Sequence, residues 1–465
     1  MKLYLIKTEI PRAGLWIGLA VLLATTVGAG DPPKEPALTY YHDVLPILTR
    51  RCQNCHQAGG IAPMPLLSYE DVRPWAQAVR ESVLLRRMPP WYADPKSSVA
   101  FSNDRSLSEA ELATISDWVN QGSPAGEVKN VSAPPRISHD WRLGTPDVVY
   151  EMGEFPVPAK GTIEYTYYII PTSFTEDRWV RAAEFKVGQP AVVHHMNAFI
   201  REPDNDRFVP GYPPRTYFVP KTTDNPTAGQ SEHGLEANLA KQEVSEARRR
   251  GSPNGPVFGE LLAPFEPGLI LEPWEPGQAR LIKAGSDIVI QCHFTANGTP
   301  VNAASSLGLT FAKEPPTERV ITFVPANTKF VIPPGHPNYK VEASAVVLKE
   351  VKLLSMQPHM HLRGKSFYYR AVLPGGAVES LLSVPKYDFN WQLNYYLRQP
   401  RVLPPGTRLE FVAHYDNSPD NSANPNPAAE VRWGDQSWEE MMIGFLEVAF
   451  DPKYPSDSVI YRNEE

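Results

Sequence analysis

Cysteine is scarce in this chain, whose 465 residues include only Cys52, Cys55 and Cys292. Three thiols cannot form the disulfide framework that would brace a protein of this length. Packing of apolar side chains must therefore stabilise the fold, and a hydrophobic fraction of 42% is enough for sizeable cores. The same composition excludes a wholly disordered chain.

An excess of positive charge is also missing. Lys and Arg number 45 against 52 Asp and Glu, which gives a formal net charge of −7, and the sequence contains no basic block. A protein that binds a phosphate backbone needs a positive face, so nucleic acid is excluded as a partner.

Long helical runs are lacking as well, because 49 prolines are spread through strand-like segments. This distribution predicts many short strands joined by turns.

The N-terminal segment has the pattern of a secretory signal. A short basic stretch precedes an apolar run over residues 15–27, and Gly28-Ala29-Gly30 follows it. We therefore expect a signal peptide over residues 1–30 and a periplasmic or secreted protein. The alternative is an uncleaved anchor, since residues 13–29 are long enough to span a bilayer. A membrane would be a partner only in that case.

Two of the three cysteines belong to a motif with specific chemistry. Residues 52–56 read Cys-Gln-Asn-Cys-His, the C-x-x-C-H arrangement in which two thiols attach to haem and the histidine binds its iron. A bare C-x-x-C would indicate a redox or zinc site. The adjoining histidine instead predicts covalent haem c on Cys52 and Cys55, with His56 as the proximal iron ligand.

Helical spacing of apolar residues around this motif predicts a small all-α cytochrome c domain over residues 36–122. Ser108-Glu109-Ala110-Glu111 is a capping box that opens its last helix. The sixth iron ligand should be a thioether. Met88 lies on a rigid Pro-containing turn and is the favoured ligand. Met64 is the rival, but it lies close to His56 in sequence and must share the proximal approach.

The composition changes after this segment. Residues 123–146 are rich in Pro, Ser, Gly and Asn and predict a linker. Strand-like patterns then continue to the C-terminus. A polar stretch over residues 202–259 interrupts them, and we interpret it as a surface insertion that contains one helix over residues 235–250.

Histidines form a second group of candidate functional residues. Five of them fall into three groups in strand-like segments: His194-His195, His293, and the pair His359 and His361. Residues two apart project from the same face of a strand, so His359 and His361 can hold one metal together. Adjacent His194 and His195 would point to opposite faces, and they can share a metal only if the strand is distorted. Three such groups favour metal binding over hydrogen-bonded core histidines.

The order of these fragments resembles one known family. Val193-His194-His195-Met196, Gln291-Cys292-His293-Phe294, His359-Met360-His361-Leu362-Arg363-Gly364-Lys365 and Glu440-Met441-Met442 occur here. Copper type II, ascorbate-dependent monooxygenases contain similar fragments in the same order, and their animal members are dopamine beta-monooxygenase and peptidylglycine alpha-hydroxylating monooxygenase. The resemblance covers residues 140–465. It implies jelly-roll-like β-sandwich domains over residues 147–315 and 316–465, each holding one copper.

The resemblance also implies two different ligand sets. The electron-transfer copper maps to His194, His195 and His293. The oxygen-activating copper maps to His359, His361 and Met441, with Met442 as the alternative sulfur ligand. Three imidazoles suit both oxidation states of copper, whereas two imidazoles and a thioether favour Cu(I), so the two sets fit different roles.

Together these features predict an exported haem c and copper-dependent monooxygenase that contains two copper ions. It would hydroxylate a C–H bond of a small organic substrate with dioxygen, and electrons would arrive through the haem, with or without an external donor. The predicted fold class is multidomain, a small all-α cytochrome c domain followed by two all-β jelly-roll-like sandwich domains. The alternative is a non-catalytic periplasmic electron-transfer or copper-binding protein that uses the same ligands.

Overall fold

The structure is a computed structural model. It describes residues 38–57, 62–96, 99–128, 141–161, 163, 165–203, 217–218, 259–266, 269, 271–434 and 436–463. The predicted signal peptide, the predicted helix over residues 235–250, and part of the predicted linker lie outside these residues, as does most of the predicted insertion. In the ranges just given, no helix has both the length and the apolar character needed to cross a membrane.

Short helices form near the N-terminus of the described chain. The α-helices are α1 (Leu45–Arg51), α2 (Tyr69–Val72), α3 (Ala76–Leu84) and α4 (Glu109–Asn120), with a π-helical turn over Tyr40–Val44 and a 3₁₀ turn over Arg73–Trp75. The predicted capping box opens α4, because the hydroxyl of Ser108 accepts the N–H of Glu111 at 3.2 Å and the Glu111 carboxylate accepts the N–H of Ser108 at 2.9 Å. These helices enclose a small core centred on Tyr40 and Trp118, both fully buried.

The prediction of an all-α cytochrome c domain is wrong, because the protein is mostly β-sheet and no such domain is evident among the described residues. The chain between α3 and α4 leaves the helices and packs into β structure. Ala93 and Phe101 lie in a core made by strands, and Phe101 forms an antiparallel bridge with Leu397. The chain from Leu38 onward is one compact unit. The physical reason is that aromatic residues of this connection bury their apolar surface against strands rather than against helices.

The rest of the described chain forms strands. In chain order they are β1 (Val148–Glu151), β2 (Phe155–Val157), β3 (Thr166–Pro171), β4 (Arg178–Val187), β5 (Val193–Arg201), β6 (Tyr217–Phe218), β7 (Glu260–Phe265), β8 (Gln278–Ile282), β9 (Asp287–Phe294), β10 (Val301–Ala303), β11 (Ser305–Phe311), β12 (Glu318–Phe323), β13 (Val331–Ile332), β14 (Tyr339–Val347), β15 (Val351–His359), β16 (Gly364–Val372), β17 (Val378–Val384), β18 (Tyr395–Leu403), β19 (Arg408–Tyr415), β20 (Val431–Arg432), β21 (Ile443–Phe450) and β22 (Ile460–Asn463).

One long sheet runs through the whole β structure. Its eight strands have the order β1-β11-β4-β8-β12-β21-β15-β18. The two halves of the sheet join where β8 and β12 pair in parallel, with Gln278 opposite Glu318. Two five-stranded sheets, β6-β3-β9-β5-β7 and β17-β16-β19-β14-β22, complete the main layers.

The layers are sandwich-like and have two cores. The first sandwich encloses apolar residues of β3, β4, β5, β7, β9 and β11 between one half of the long sheet and the sheet that contains β5. The second sandwich encloses residues of β12, β14 to β19 and β21 in the same way. Because both sandwiches share the long sheet, the multidomain fold class is corrected to one mostly β unit with short helices at its N-terminal side.

Candidate metal centre

Three of the predicted ligands come together in the first sandwich. His194 and His195 lie on β5 and His293 lies on β9, and one nitrogen from each imidazole lies within 4.8 Å of the other two. The Nδ1 atoms of His194 and His195 are 3.2 Å apart. We call these three residues the histidine cluster. Their nitrogens can converge on a single metal ion.

A strand irregularity explains how neighbouring histidines share one site. The pairing of β5 with β9 shifts register between Val193 and His195, so His194 is the extra residue. Such a bulge changes the direction in which a side chain points. The predicted distortion of the strand is therefore present at the required position.

Burial keeps the histidine cluster neutral. It lowers the pKa of His194, and together with the other imidazoles it lowers the pKa of His195 well below its ordinary value. Burial and the neighbouring His194 lower the pKa of His293 to about 4. Neutral imidazole is the form that binds metals. The cluster therefore presents its ligand form over the whole physiological pH range.

The second predicted group lies in the second sandwich. His359 ends β15 and His361 follows it, and their ring centroids are 5.3 Å apart at an angle of 87°. We call them the histidine pair. Nδ1 of His359 donates to the side-chain oxygen of Gln392, and Nδ1 of His361 lies 3.3 Å from the carbonyl oxygen of Glu439. These contacts at Nδ1 orient the two rings.

Desolvation also keeps the histidine pair neutral. Burial lowers the pKa of His359 to about 4, against the opposing effect of the hydrogen bond to Gln392. Burial and the neighbouring His359 lower the pKa of His361 to about 3. Both residues therefore stay in the form that binds metals.

The two candidate methionines have different environments. Met442 is fully buried in the core of the second sandwich, among residues such as Leu446 and Phe411. Met441 is half-buried, and its carbonyl oxygen accepts the hydroxyl of Tyr415 at 2.7 Å. A sulfur that already packs in an apolar core is not free to bind metal, so the environments favour Met441.

A buried carboxyl group clamps the backbone beside the histidine pair. Oε2 of Glu440 accepts the N–H of His361 at 2.8 Å, and Oε1 accepts the N–H of Arg363 at 2.6 Å. Burial outweighs these hydrogen bonds and raises the pKa of Glu440 to about 8. Glu440 and Arg363 both belong to fragments that carry the family resemblance, but neither had a predicted role. The signal that could have identified them is that each is a charged residue in a fragment that also carries predicted ligands.

A phenylalanine contacts both the histidine cluster and the histidine pair. The ring of Phe389 stacks on the ring of His194 at a centroid distance of 5.3 Å, and its centroid is 5.9 Å from that of His361 in a T-shaped contact. This residue was not predicted from the sequence, because it lies in the connection between β17 and β18, far in sequence from all five histidines. One aromatic ring therefore contacts an imidazole of each predicted ligand group.

A cavity lies along the long sheet near His359. Gln357 and Phe445 are among the residues that line it, Gln357 lies two residues before His359, and the ring of Phe445 is 6.2 Å from that of His359. Its other lining residues include Arg280, which lies over the ring of Trp274 at 5.0 Å. The cavity has a volume of about 50 Å³, which is room for several waters.

The predicted haem-binding residues lie just after α1. Cys52 and Cys55 are free thiols. Nδ1 of His56 bonds to the carbonyl oxygen of Met64 at 3.0 Å, so Met64 lies on the Nδ1 side of the imidazole and Nε2 is left to a metal. Met88 is half-buried in the turn that follows α3. Met88 stays the predicted sixth ligand, with Met64 as its rival.

Comparisons with known proteins give no assignment. No model of a known protein family matches the chain, and no curated protein matches it. The VP2 subviral particle of infectious bursal disease virus is 9% identical, with 70% of this chain and 78% of that chain covered and a TM-score of 0.18. The infectious bursal disease virus Gx strain structure is 8% identical, with 69% and 79% covered and a TM-score of 0.16. Likeness at this level carries no argument about function.

Proposed function

We propose that this protein is an exported, copper-dependent monooxygenase that hydroxylates a C–H bond of a small organic substrate with dioxygen. One observation carries the proposal. Two groups of buried, neutral imidazoles, one of three residues and one of two, both contact the ring of Phe389. Such an arrangement suits a site in which two metal ions each transfer one electron and have different roles.

The donor sets fit copper. Three imidazoles in the histidine cluster suit an ion that alternates between Cu(II) and Cu(I), and the two imidazoles of the histidine pair, together with the predicted thioether ligand Met441, would favour Cu(I). Zinc is a poorer fit, because a thioether such as that of Met441 is a weak zinc ligand. Copper bound at these residues would supply one-electron transfer and the activation of dioxygen.

The chain's own residues would orient the ligands and exclude water. Gln392 and the carbonyl group of Glu439 fix the rings of the histidine pair through Nδ1. The cavity beside the histidine pair would receive the substrate. Phe445 would supply an apolar wall next to His359, and Gln357 would supply a hydrogen-bonding group. A substrate there would place a C–H bond close to the histidine pair.

We further propose that haem c on Cys52 and Cys55 supplies electrons to copper bound at the predicted ligands. The support is local, since both thiols are free and Nδ1 of His56 already has a carbonyl partner. Haem bound there would supply a one-electron donor. The helical segment that carries the motif packs on the second sandwich through Phe101, which would hold that donor close to the β structure.

Oxygen incorporation tests the proposed function. We expect copper-loaded protein, given a reductant and ¹⁸O₂, to transfer one labelled atom to a member of a panel of small molecules with benzylic or α-amido C–H bonds. The double variant His359→Ala, His361→Ala should lose one of two bound coppers and all incorporation. The double variant His194→Ala, His195→Ala should lose the other copper. Two bound coppers without incorporation into any compound would instead indicate an electron-transfer or copper-binding protein.

A further inference from the structure

The connection over residues 385–394 joins β17 to β18 and reaches both histidine groups. Phe389 at its middle contacts His194 of the histidine cluster with its face and His361 of the histidine pair from the side, at interplanar angles of 26° and 82°. The centroids of the two imidazoles can be at most 11.2 Å apart, which is the sum of their 5.3 and 5.9 Å distances to the Phe389 ring. One side chain thus touches both candidate metal sites.

We propose that Phe389 is a positioning residue that keeps the histidine cluster and the histidine pair apart as two separate metal sites. The inference rests on the proposed function in one respect, because both groups must bind copper. It goes beyond that function by assigning the separation of the sites to one side chain that is not itself a ligand.

Residues before and after Phe389 in the connection hold it in place. The hydroxyl of Tyr387 donates to the carbonyl oxygen of Met360 at 2.8 Å and accepts the N–H of Met360 at 3.1 Å. Gln392 accepts the Nδ1 hydrogen of His359. Both anchors attach to the segment that carries the histidine pair. The ring of Phe389 is therefore fixed relative to that pair.

The coordination preference of Cu(II) gives a reason for keeping the two sites apart. Cu(II) accepts four nitrogen ligands in a tetragonal arrangement, which is more than either histidine group can supply alone. Without the ring, His194 and His361 would be free to move towards each other. A single copper could then take imidazoles from both groups. Such a mixed site would bind one ion strongly and leave too few ligands for a second.

The proposal predicts a change in metal stoichiometry when the ring is removed. Full-length protein carrying Phe389→Ala should bind its first Cu(II) and lose affinity for the second by at least about tenfold, a typical size for changes in groups that support a metal site. Electron paramagnetic resonance of the first equivalent should change from a three-nitrogen to a four-nitrogen signal. Phe389→Leu, which keeps much of the bulk, should bind two ions as the unchanged protein does.

A matched control separates this effect from a general loss of packing. Phe174→Ala removes another half-buried phenylalanine ring, which meets the ring of Phe311 at 5.7 Å in the first sandwich, and it should retain two copper sites with unchanged resonance signals. If Phe389→Ala does not fold, Phe389→Val gives the same test with a smaller loss of volume, and circular dichroism checks the fold of each variant.

The outcomes distinguish this inference from the proposed function. Two coppers with unchanged signals in Phe389→Ala would overturn the spacer assignment, whatever the oxygenase assay shows. A single copper in the unchanged protein would also overturn it, because there would be no second site to separate. The predicted signals in a protein without oxygenase activity would support the spacer and reject only the monooxygenase.

Discussion

Oε2 of Glu440 accepts the backbone N–H of His361 at 2.8 Å. The hydrogen bond ties the segment that carries the histidine pair to the segment that carries Met441, which follows Glu440 directly. It also joins a buried polar network, because Oε1 of the same carboxylate accepts the N–H of Arg363. The segment of the histidine pair and the segment of Met441 are thus held together by a buried carboxyl group that is not itself a predicted ligand.

Arg363 should be essential for the stability of this network. Its side chain donates to Oδ1 of Asn417 and to the carbonyl oxygen of Trp438, both at 2.8 Å, and the residue is only 1% exposed. We expect Arg363→Leu to lower the free energy of unfolding by about 1–3 kcal/mol, because it leaves the side-chain oxygen of Asn417 and the carbonyl oxygen of Trp438 without this donor. Urea unfolding measures this change.

The control for this substitution is an arginine with an exposed ion pair. Arg432 contacts Glu430 at 2.8 Å, and its side chain is 67% exposed. Arg432→Leu should change the free energy of unfolding by no more than about 1 kcal/mol. Equal effects of the two substitutions would show that the buried network does not stabilise the fold.

Local features of the structure were predictable from the sequence. The capping box at Ser108 specifies the start of α4 through contacts only three residues apart. The adjacent pair His194-His195 could share a metal only on a distorted strand, and the register shift beside them supplies that distortion, whereas a shared site of His359 and His361 stays a prediction. Each of these predictions depends on neighbours in the chain, where the geometry of the backbone restricts the outcome.

The features that could not be predicted depend on distant contacts. The all-α domain was expected from helical periodicity alone, and periodicity does not reveal that Phe101 packs on strands nearly three hundred residues away. The shared sheet depends on the parallel pairing of β8 with β12, for which the sequence has no local signal. Phe389 was missed for the same reason, because an aromatic residue in a turn gives no sign of what it touches.

Glu266 should make the stability of the protein depend on pH. Burial raises the pKa of Glu266 from 4.5 to about 8, and the hydrogen bond from Gln357, at 2.5 Å, only partly opposes this. Between these two values the folded protein keeps a proton that the unfolded chain releases. The contribution of this residue to the free energy of unfolding is therefore complete below about pH 4.5. It decreases as pH rises towards 8, by up to about 1.4 kcal/mol per pH unit.

The substitution Glu266→Gln isolates this contribution. Glutamine keeps an oxygen that can accept from Gln357 but cannot ionise, so the variant should gain stability over the unchanged protein as pH rises from 5 to 8.5. Urea unfolding at several pH values measures the difference. Glu430→Gln, at an exposed position, is the control and should show no such gain. A difference that is constant with pH would contradict the role of Glu266.

Covalent haem should require both thiols of the C-x-x-C-H motif. Each thioether bond uses one cysteine, so the double variant Cys52→Ala, Cys55→Ala should contain no covalent haem, and the unchanged protein should give a c-type pyridine haemochrome spectrum. Cys292→Ala is the matched control, since this thiol is fully buried in the first sandwich. Covalent haem retained in the double variant would reject the assignment.

The sixth iron ligand can be assigned with two further variants. The carbonyl oxygen of Met64 holds Nδ1 of His56, which places Met64 on the proximal side. Met88→Ala should therefore remove the weak near-infrared band of methionine-bound ferric haem, and Met64→Ala should not. The opposite pattern would transfer the ligand to Met64.

Electron flow from haem to copper is the last prediction, and it depends on how the helical segment is attached. A monooxygenase needs two electrons in each turnover, and each copper stores one. The segment that carries His56 is held by packing as well as by the chain, because Trp91 lies 4.9 Å from the ring of Tyr395 in β18. We therefore expect ferrous haem, mixed anaerobically with protein that contains oxidised copper, to be reoxidised at a rate independent of protein concentration. The step should vanish in His293→Ala, which removes a predicted ligand of the proposed electron-transfer copper, and persist in the control His336→Ala. Haem that stays ferrous until oxygen is added, or that reoxidises equally fast in His293→Ala, would show that it is not the donor to this copper.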